Sequence, residues 1–141
     1  MNDPVVEVVK LDLPATYTSL TLLRACVTEL IMQCNVLEHD PTIYSVQLAI
    51  HETGANIIDH AYCGDFSQRF AATLSLCRKK RQIIIELYDT GVAFEIEHVP
   101  KPNLDIPQEH GYGLFLIENT MDEVIYESHE AGNYWRLMKQ L

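Results

Sequence analysis

Hydrophobic and polar residues follow two different periods along the chain, one typical of strands and one typical of helices. Hydrophobic residues alternate with small or polar ones over 70–76 and over 83–88, which predicts two neighbouring strands. Residues 16–39 are instead rich in leucine, isoleucine and valine at helical spacing, which predicts a long first helix. Asp40 and Pro41 then provide a cap followed by a first-turn proline, and a second helix is predicted to start there. The predicted elements are a strand over 5–13, helices over 16–39 and 40–62, strands over 70–76 and 83–88, a short helix over 111–121, and strands over 123–128 and 134–141.

This order of elements predicts a single α+β domain over residues 1–141. We expect a two-layer α/β sandwich with the helices on one face of a mixed, mainly antiparallel sheet. Residues 97–110 contain three prolines and show no periodicity, which is typical of a functional lid. The four basic residues at 78–81 lie between two predicted strands and are interpreted as the solvated tip of a hairpin.

The charge and cysteine content narrow the classes of function. The chain has 10 Lys and Arg against 20 Asp and Glu, a net charge of −10, which disfavours nucleic acid and anionic membranes as partners. No signal-peptide pattern opens the chain and no apolar run approaches the roughly 20 residues of a membrane span, so we expect a cytoplasmic protein. The four cysteines form no CxxC pair and do not cluster with histidine, which predicts reduced thiols and no zinc site.

The second helix carries the first group of residues that suggest chemistry. At about 100° per residue, its hydrophobic stripe and a set of polar residues fall on different sectors. The ordinary interpretation of the polar set is a solvated face, yet Ala49 and Thr53 share its sector, which lacks long charged side chains. A glutamate one turn before an asparagine can offer a base and a metal ligand to one substrate. The polar set is Glu52, Asn56, Asp59 and His60, and the stripe is Val46, Ile50, Ile57 and Ala61.

Two glycine-containing sequences follow later in the chain. Asp89-Thr90-Gly91 comes directly after a predicted strand and is either a turn or the floor of a pocket, where glycine lets a ligand approach the backbone. The same triplet occurs in aspartic proteases, an alternative that the two long helices argue against because those enzymes are nearly all β. Gly111 and Gly113 precede the short helix, where free N–H groups can bind phosphate, and the alternative there is a tight turn.

Three sequences in this order resemble the nucleotide-binding motifs of one ATPase superfamily. They are HETGANIIDHAY from His51, DTGVAF from Asp89 and GYGLFLIENTMDEV from Gly111. They resemble the N-box and the first and second glycine boxes of GHKL-type (Bergerat-fold) ATPases. Within that superfamily the chain is most similar to the anti-sigma factor serine/threonine kinases of the RsbW type, and the resemblance extends over nearly the whole chain.

The resemblance implies a role for each matching residue. Asn56 matches the asparagine that binds Mg²⁺, and Glu52 matches the glutamate that accepts the proton of the attacking hydroxyl group. Asp89 matches the aspartate that accepts a hydrogen bond from the adenine amino group of ATP or ADP, and Gly91 lets the purine lie against the backbone. The other implied nucleotide-binding positions are Asp59, His60, Phe94, Gly111, Tyr112, Gly113, Leu114 and Asn133. Asn133 stands where the family often has threonine.

The resemblance also implies a function and partners. We expect an Mg-ATP-dependent serine/threonine protein kinase that acts as an anti-sigma factor in partner switching. It would phosphorylate a STAS-type antagonist protein and sequester a sigma factor or another regulator. The alternative is a nucleotide-binding regulatory module that sequesters a partner without useful kinase activity.

A homodimer is a further hypothesis from the sequence. Leu22, Leu23, Cys26 and Leu30 of the first helix could form its interface. The alternative is that these residues simply pack in the core.

Overall fold

The structure, a computed structural model, describes residues 6–93 and 113–141. Five strands form one sheet in the order β1-β2-β3-β5-β4, and every strand pairing in the described residues is antiparallel. The α+β prediction is confirmed, and the expected mixed sheet is corrected to an antiparallel one over these residues. The elements are β1 Val6–Pro14, α1 Tyr17–Met32, α2 Pro41–Asn56 with a following π-turn Ile57–Ala61, β2 Arg69–Cys77, β3 Gln82–Asp89, α3 Gly113–Thr120, β4 Glu123–His129 and β5 Gly132–Gln140.

Helix α1 is shorter than the sequence predicts. It ends at Met32, whereas the hydrophobic pattern predicted a helix to His39. Asn35 follows with a φ of 59°, a left-handed conformation that asparagine adopts more readily than most residues. Val36 lies beyond the helix and is still buried, so the hydrophobic pattern continues where the helix does not.

Helix α2 starts where the sequence predicts. The Thr42 N–H donates to the Asp40 carboxylate at 2.8 Å, which caps the helix and lowers the pKa of Asp40. Pro41 occupies the first turn. The helical path continues through the π-turn, which closes with the Tyr62 N–H donating to the Ile57 carbonyl at 2.9 Å. The predicted end near Tyr62 is therefore confirmed, with a wider final turn.

The core lies between the helices and one face of the sheet. The predicted stripe of α2 and the π-turn is buried, with Val46 and Ile50 fully inaccessible. Gly54 brings α1 and α2 together, because a Cβ at this position would lie only 2.2 Å from Leu20 Cδ2. On the other face of the sheet, Val8 of β1 and Tyr88 of β3 remain 54% and 40% exposed.

The hairpin between β2 and β3 has the predicted basic, exposed tip at 78–81. Arg78 forms an ion pair with Glu7 at 2.5 Å. Arg81 donates from Nη1 to the Cys34 carbonyl at 2.6 Å. The tip is therefore solvated and also held to the body of the domain.

The residues suggested for a dimer interface do not share one surface of α1. Leu23 is fully buried, Leu22 is 58% exposed, and Cys26 and Leu30 are half-buried against the core. Packing in the core accounts for Leu23, and the homodimer stays a prediction.

The remaining general expectations concern membranes and thiols. In the described part of the chain, none of the helices combines the length and the apolar character that crossing a membrane requires. All four cysteines are free thiols, with Cys34 and Cys77 buried and Cys63 exposed.

Candidate functional site

Asp89, the last residue of β3, is buried, and its two carboxylate oxygens differ in their hydrogen bonding. It is only 4% exposed, and its Oδ1 accepts hydrogen bonds from Asn133 Nδ2 at 2.7 Å and from the Gly91 N–H at 2.9 Å. Its Oδ2 is equally buried but has no hydrogen-bond partner among the described residues. Burial raises the pKa of Asp89, while the hydrogen bonds from Asn133 and Gly91 act in the opposite direction. A buried acceptor left without a donor is costly, which makes Oδ2 the best-defined place for a ligand donor.

The turn after Asp89 is held by the end of the second helical segment. The Thr90 N–H donates to the Tyr62 hydroxyl at 2.8 Å, and that hydroxyl donates to the Arg69 carbonyl at 2.6 Å. The Val92 N–H donates to the Ala61 carbonyl at 2.9 Å. Tyr62 was not among the predicted site residues, because nothing in the sequence pairs the end of a helix with a turn nearly thirty positions later.

Gly91 is required by the protein's own backbone. A Cβ on this residue would lie 2.2 Å from the Ala61 carbonyl oxygen and 2.5 Å from its carbonyl carbon. The sequence predicted a glycine that lets a purine lie against the backbone. In the structure, the side on which a Cβ would project is filled by the π-turn, so Gly91 is needed whether or not a ligand is bound.

Glu52, Asn56 and Gly113 form a second cluster, where α3 begins against α2. A Cβ on Gly113 would lie 3.0 Å from Glu52 Oε2 and 3.7 Å from Asn56 Oδ1. Asn56 Nδ2 is buried without a partner in the described residues. The sequence spacing placed Glu52 and Asn56 together, and the structure adds the glycine that leaves room for both side chains.

Asp59 and His60, also predicted as site residues, lie on the exposed side of the π-turn. Asp59 Oδ1 accepts a hydrogen bond from the Tyr17 hydroxyl of α1 at 2.5 Å. Burial raises the pKa of Tyr17 to about 12, helped by the bond to Asp59 and by the negative charges of Asp59 and Glu52. The wide turn thus directs Asp59 towards α1, and Tyr17 is a neighbour of the site that the sequence did not indicate.

Three predicted nucleotide-binding positions, Phe94, Gly111 and Tyr112, lie outside the described residues. Leu114, in the first turn of α3, is half-buried and packs against the core. Asn133 is buried and donates a hydrogen bond to Asp89.

The second cluster could bind a magnesium ion only together with waters and phosphate oxygens. Within residues 6–93 and 113–141, no group of three or more His, Cys, Asp or Glu side chains could hold a metal ion. The Asn56 amide forms no hydrogen bond with the described residues and offers one oxygen. Mg²⁺ suits such a site, because it keeps several waters and takes further ligands from phosphates.

A separate cavity of about 620 Å³ lies at the same end of the sheet on the outer face. Tyr88 and Tyr134 form part of its wall, with ring centroids 5.1 Å apart. Its lining includes Asp89 and Asn133 but neither Glu52 nor Asn56, so it adjoins the Asp89 cluster and is separate from the second cluster.

Comparisons with known proteins bear on the family and the fold of the chain. Residues 13–139 match the histidine kinase-like ATPase domain family. The chain is 27% identical over 135 residues to the serine-protein kinase RsbW of Bacillus thuringiensis, covering 89% of this chain and 80% of the relative. It is 26% identical over 97 residues to the serine-protein kinase RsbW of Bacillus subtilis, covering 63% of this chain and 59% of that relative. The chain therefore spans less than two thirds of the Bacillus subtilis kinase.

Solved structures share the fold. The RsbU and RsbW domains of a Mycobacterium tuberculosis protein match with a TM-score of 0.66 and 19% identity, over 96% of this chain and 32% of that chain. The histidine kinase domain of a blue-light activated kinase from Erythrobacter litoralis matches with a TM-score of 0.53 and 16% identity, over 91% of this chain and 61% of that chain. The three α-helices in the described residues are unlike the nearly all-β architecture that the aspartic-protease alternative required.

Proposed function

The chain belongs to the histidine kinase-like ATPase domain family, and we propose that it is an Mg-ATP-dependent protein kinase that acts on a serine or threonine of a regulatory partner. The proposal has two parts. One is recognition of the adenine base at Asp89, and the other is transfer of the terminal phosphoryl group beside Glu52.

The single observation that carries the proposal is the unpartnered Oδ2 of Asp89. Its other oxygen is fixed by two N–H donors, so the carboxylate is held as an acceptor in a buried place. The amino group of adenine supplies the missing donor, whereas a guanine carbonyl at the same place would set acceptor against acceptor. The geometry therefore supports an adenine nucleotide as the ligand.

Glu52 and Asn56 support the transfer step. In this step the hydroxyl oxygen of the partner's serine or threonine bonds to the γ-phosphorus. The bond from that phosphorus to its bridging oxygen breaks, and ADP leaves. Glu52 takes the proton of the hydroxyl group. Asn56 would hold Mg²⁺ through its amide oxygen, and the bound ion supplies charge neutralisation at the phosphates.

The nature of the partner is proposed from the relatives. Two of them are named serine-protein kinases, which supports a protein hydroxyl group as the acceptor. We propose a STAS-type antagonist protein as the acceptor. A sigma factor or another regulator is proposed as the partner that the chain sequesters when the antagonist is phosphorylated.

Binding and phosphoryl transfer test the proposal separately. Mg-ADP at a hundred times its dissociation constant should stabilise the chain by about 2.7 kcal/mol. That gain should raise Tm by roughly 5–11 °C for a domain of this size. Incubation with Mg-ATP labelled in the terminal phosphate should label a serine or threonine of a STAS-domain protein from the same cells.

The outcomes separate the two parts of the proposal. A thermal shift without labelling of any candidate acceptor would contradict the kinase assignment and leave a nucleotide-binding regulatory module. The absence of both a shift and labelling would overturn the whole proposal.

A further inference from the structure

The N–H groups of the Asn133 side chain are all engaged within the protein. Its Nδ2 donates to Asp89 Oδ1 at 2.7 Å, to the Val92 carbonyl at 2.9 Å and to the Gly91 carbonyl at 3.2 Å. Its Oδ1 accepts from the Ser128 hydroxyl at 2.8 Å. An amide has two N–H groups and one carbonyl oxygen, so no donor is left for a ligand. The sequence placed Asn133 among the nucleotide-binding residues, and the geometry gives it a different place.

The register of three neighbouring strands produces this arrangement. Asp89 of β3 stands opposite Asn133 of β5, and Asn133 stands opposite Ser128 of β4. Hydrogen bonds therefore run across the sheet from an exposed serine to a buried carboxylate. Because an ionised carboxylate only accepts, the amide nitrogen of Asn133 must face Asp89 and its oxygen must face Ser128.

We propose that Asn133 is a positioning residue, which with Ser128 keeps Asp89 ionised and keeps its Oδ2 directed at the ligand without touching the nucleotide. This inference rests on the proposed function, because it assumes that Oδ2 receives a donor from adenine. It also assigns a role to Asn133, which stands where the family that the chain resembles often has threonine.

Charged groups around Asp89 do not offer another way to hold it ionised. Both of its hydrogen-bond partners in the described residues are neutral N–H groups. The Tyr62 phenol is bonded to Thr90 and Arg69 instead. On the outer face of the sheet, the titratable residues that line the adjoining cavity are Asp12, Arg69, Tyr88, Glu127, His129 and Tyr134. Of this set, Arg69 is paired with Asp12 at 3.0 Å and the His129 ring contacts Glu127 at 3.3 Å.

A pH series distinguishes positioning from simple packing. Nucleotide binding requires ionised Asp89, so the affinity for Mg-ADP should fall as the pH drops through the pKa of Asp89 in the free protein. The donor from Asn133 lowers that pKa, so Asn133→Leu raises it and binding is lost at a higher pH than in the wild type. We expect the loss of affinity in Asn133→Leu to be largest at the acidic end of the series and to shrink as the pH is raised. A merely structural role would lower the affinity equally at every pH.

Two further variants keep the inference falsifiable. Ser128→Ala removes only the hydroxyl that donates to Asn133 and should shift the pH profile of binding in the same direction by a smaller amount. This variant tests the inference if Asn133→Leu does not fold. Asn119→Leu is the matched control, because the Asn119 side chain is exposed on α3 and, among the described residues, bonds only to the Phe115 carbonyl at 2.7 Å. Its pH profile should match the wild type.

The results also separate this inference from the proposed function. Wild-type binding of Mg-ADP with an unshifted profile in Asn133→Leu, or in Ser128→Ala where the former is unfolded, would overturn the positioning role alone. Failure of the wild type to bind Mg-ADP at any pH would overturn the proposed function and the positioning role with it.

Discussion

The Asp89 end and the Glu52 end of the candidate site are built in opposite ways. At the Asp89 end, one carboxylate oxygen has two donors and the following turn is fixed by Tyr62 and Ala61. At the other end, the side chains of Glu52 and Asn56 form no hydrogen bond within the described residues, and Gly113 leaves the space beside them open.

This difference fits two different tasks. A group that selects a ligand works best when it is fixed before the ligand arrives, because the ordering does not then reduce the affinity. A carboxylate that accepts a proton from a second protein must instead be free to meet it. Under the proposed function, recognition of adenine is built into the sheet, whereas nucleotide and partner complete the site at Glu52.

Glu52→Gln should have the largest effect of the proposed variants. It should change phosphoryl transfer at the Glu52 end of the site and leave nucleotide binding at the Asp89 end unchanged. Without a base, phosphoryl transfer to the partner should slow by about 10²–10⁴-fold, while the dissociation constant for Mg-ADP changes little. Single-turnover transfer and calorimetric titration measure the two quantities. Glu118→Gln, an exposed change on α3, is the matched control. A parallel loss of affinity in Glu52→Gln would show that the two ends are not separate.

Gly91→Ala should damage the rigid end. The new Cβ would meet the Ala61 backbone at 2.2 Å, so the free energy of unfolding should fall by about 1–3 kcal/mol and Mg-ADP binding should be lost. Gly54→Ala provides the comparison, because its Cβ would be equally close to a neighbour, but that neighbour is the Leu20 side chain and not backbone. Its higher helix propensity, worth about 1 kcal/mol, offsets part of the overpacking.

Urea denaturation of both glycine variants checks this prediction. Equal destabilisation of Gly91→Ala and Gly54→Ala, with nucleotide binding retained in both, would contradict a rigid recognition turn.

Tyr17→Phe should have the smallest effect, because the bond that it removes ties the exposed Asp59 to α1. The pKa of Tyr17 is raised from 10.0 to about 12, so the unfolded chain releases this proton first as the pH rises. The stability that Tyr17 contributes is therefore complete below pH 10.0 and is lost towards pH 12. The difference in unfolding free energy between wild type and variant should shrink over that range. A difference that is constant with pH would contradict this account.

Much of the fold follows from local sequence. Asp40 and Pro41 predict the start of α2, and alternation predicts β2 and β3 within about two residues of their ends. The end of α1 does not follow, because Val36 continues the apolar pattern into a loop that packs on the core. The antiparallel pairing of every described strand also depends on register, which single stretches of sequence do not contain.

The site could be predicted only where chemistry and spacing coincide. Glu52 and Asn56 lie one helical turn apart, so their proximity follows from the sequence. Tyr62 and Ser128 could not be found in this way, because each acts on a residue that only the folded chain brings close. The packing role of Gly91 could not be predicted either, because the sequence does not show that the Ala61 carbonyl fills the space beside it.

The central claim, that a preformed buried acceptor at Asp89 selects an adenine nucleotide, is tested most directly by calorimetric titration of wild type and Asp89→Asn with Mg-ADP. The amide keeps the size of the side chain but replaces an acceptor with a donor. The account predicts saturable binding to the wild type and a loss of roughly ten- to a hundredfold in Asp89→Asn. Equal affinity of the two proteins for Mg-ADP would contradict it.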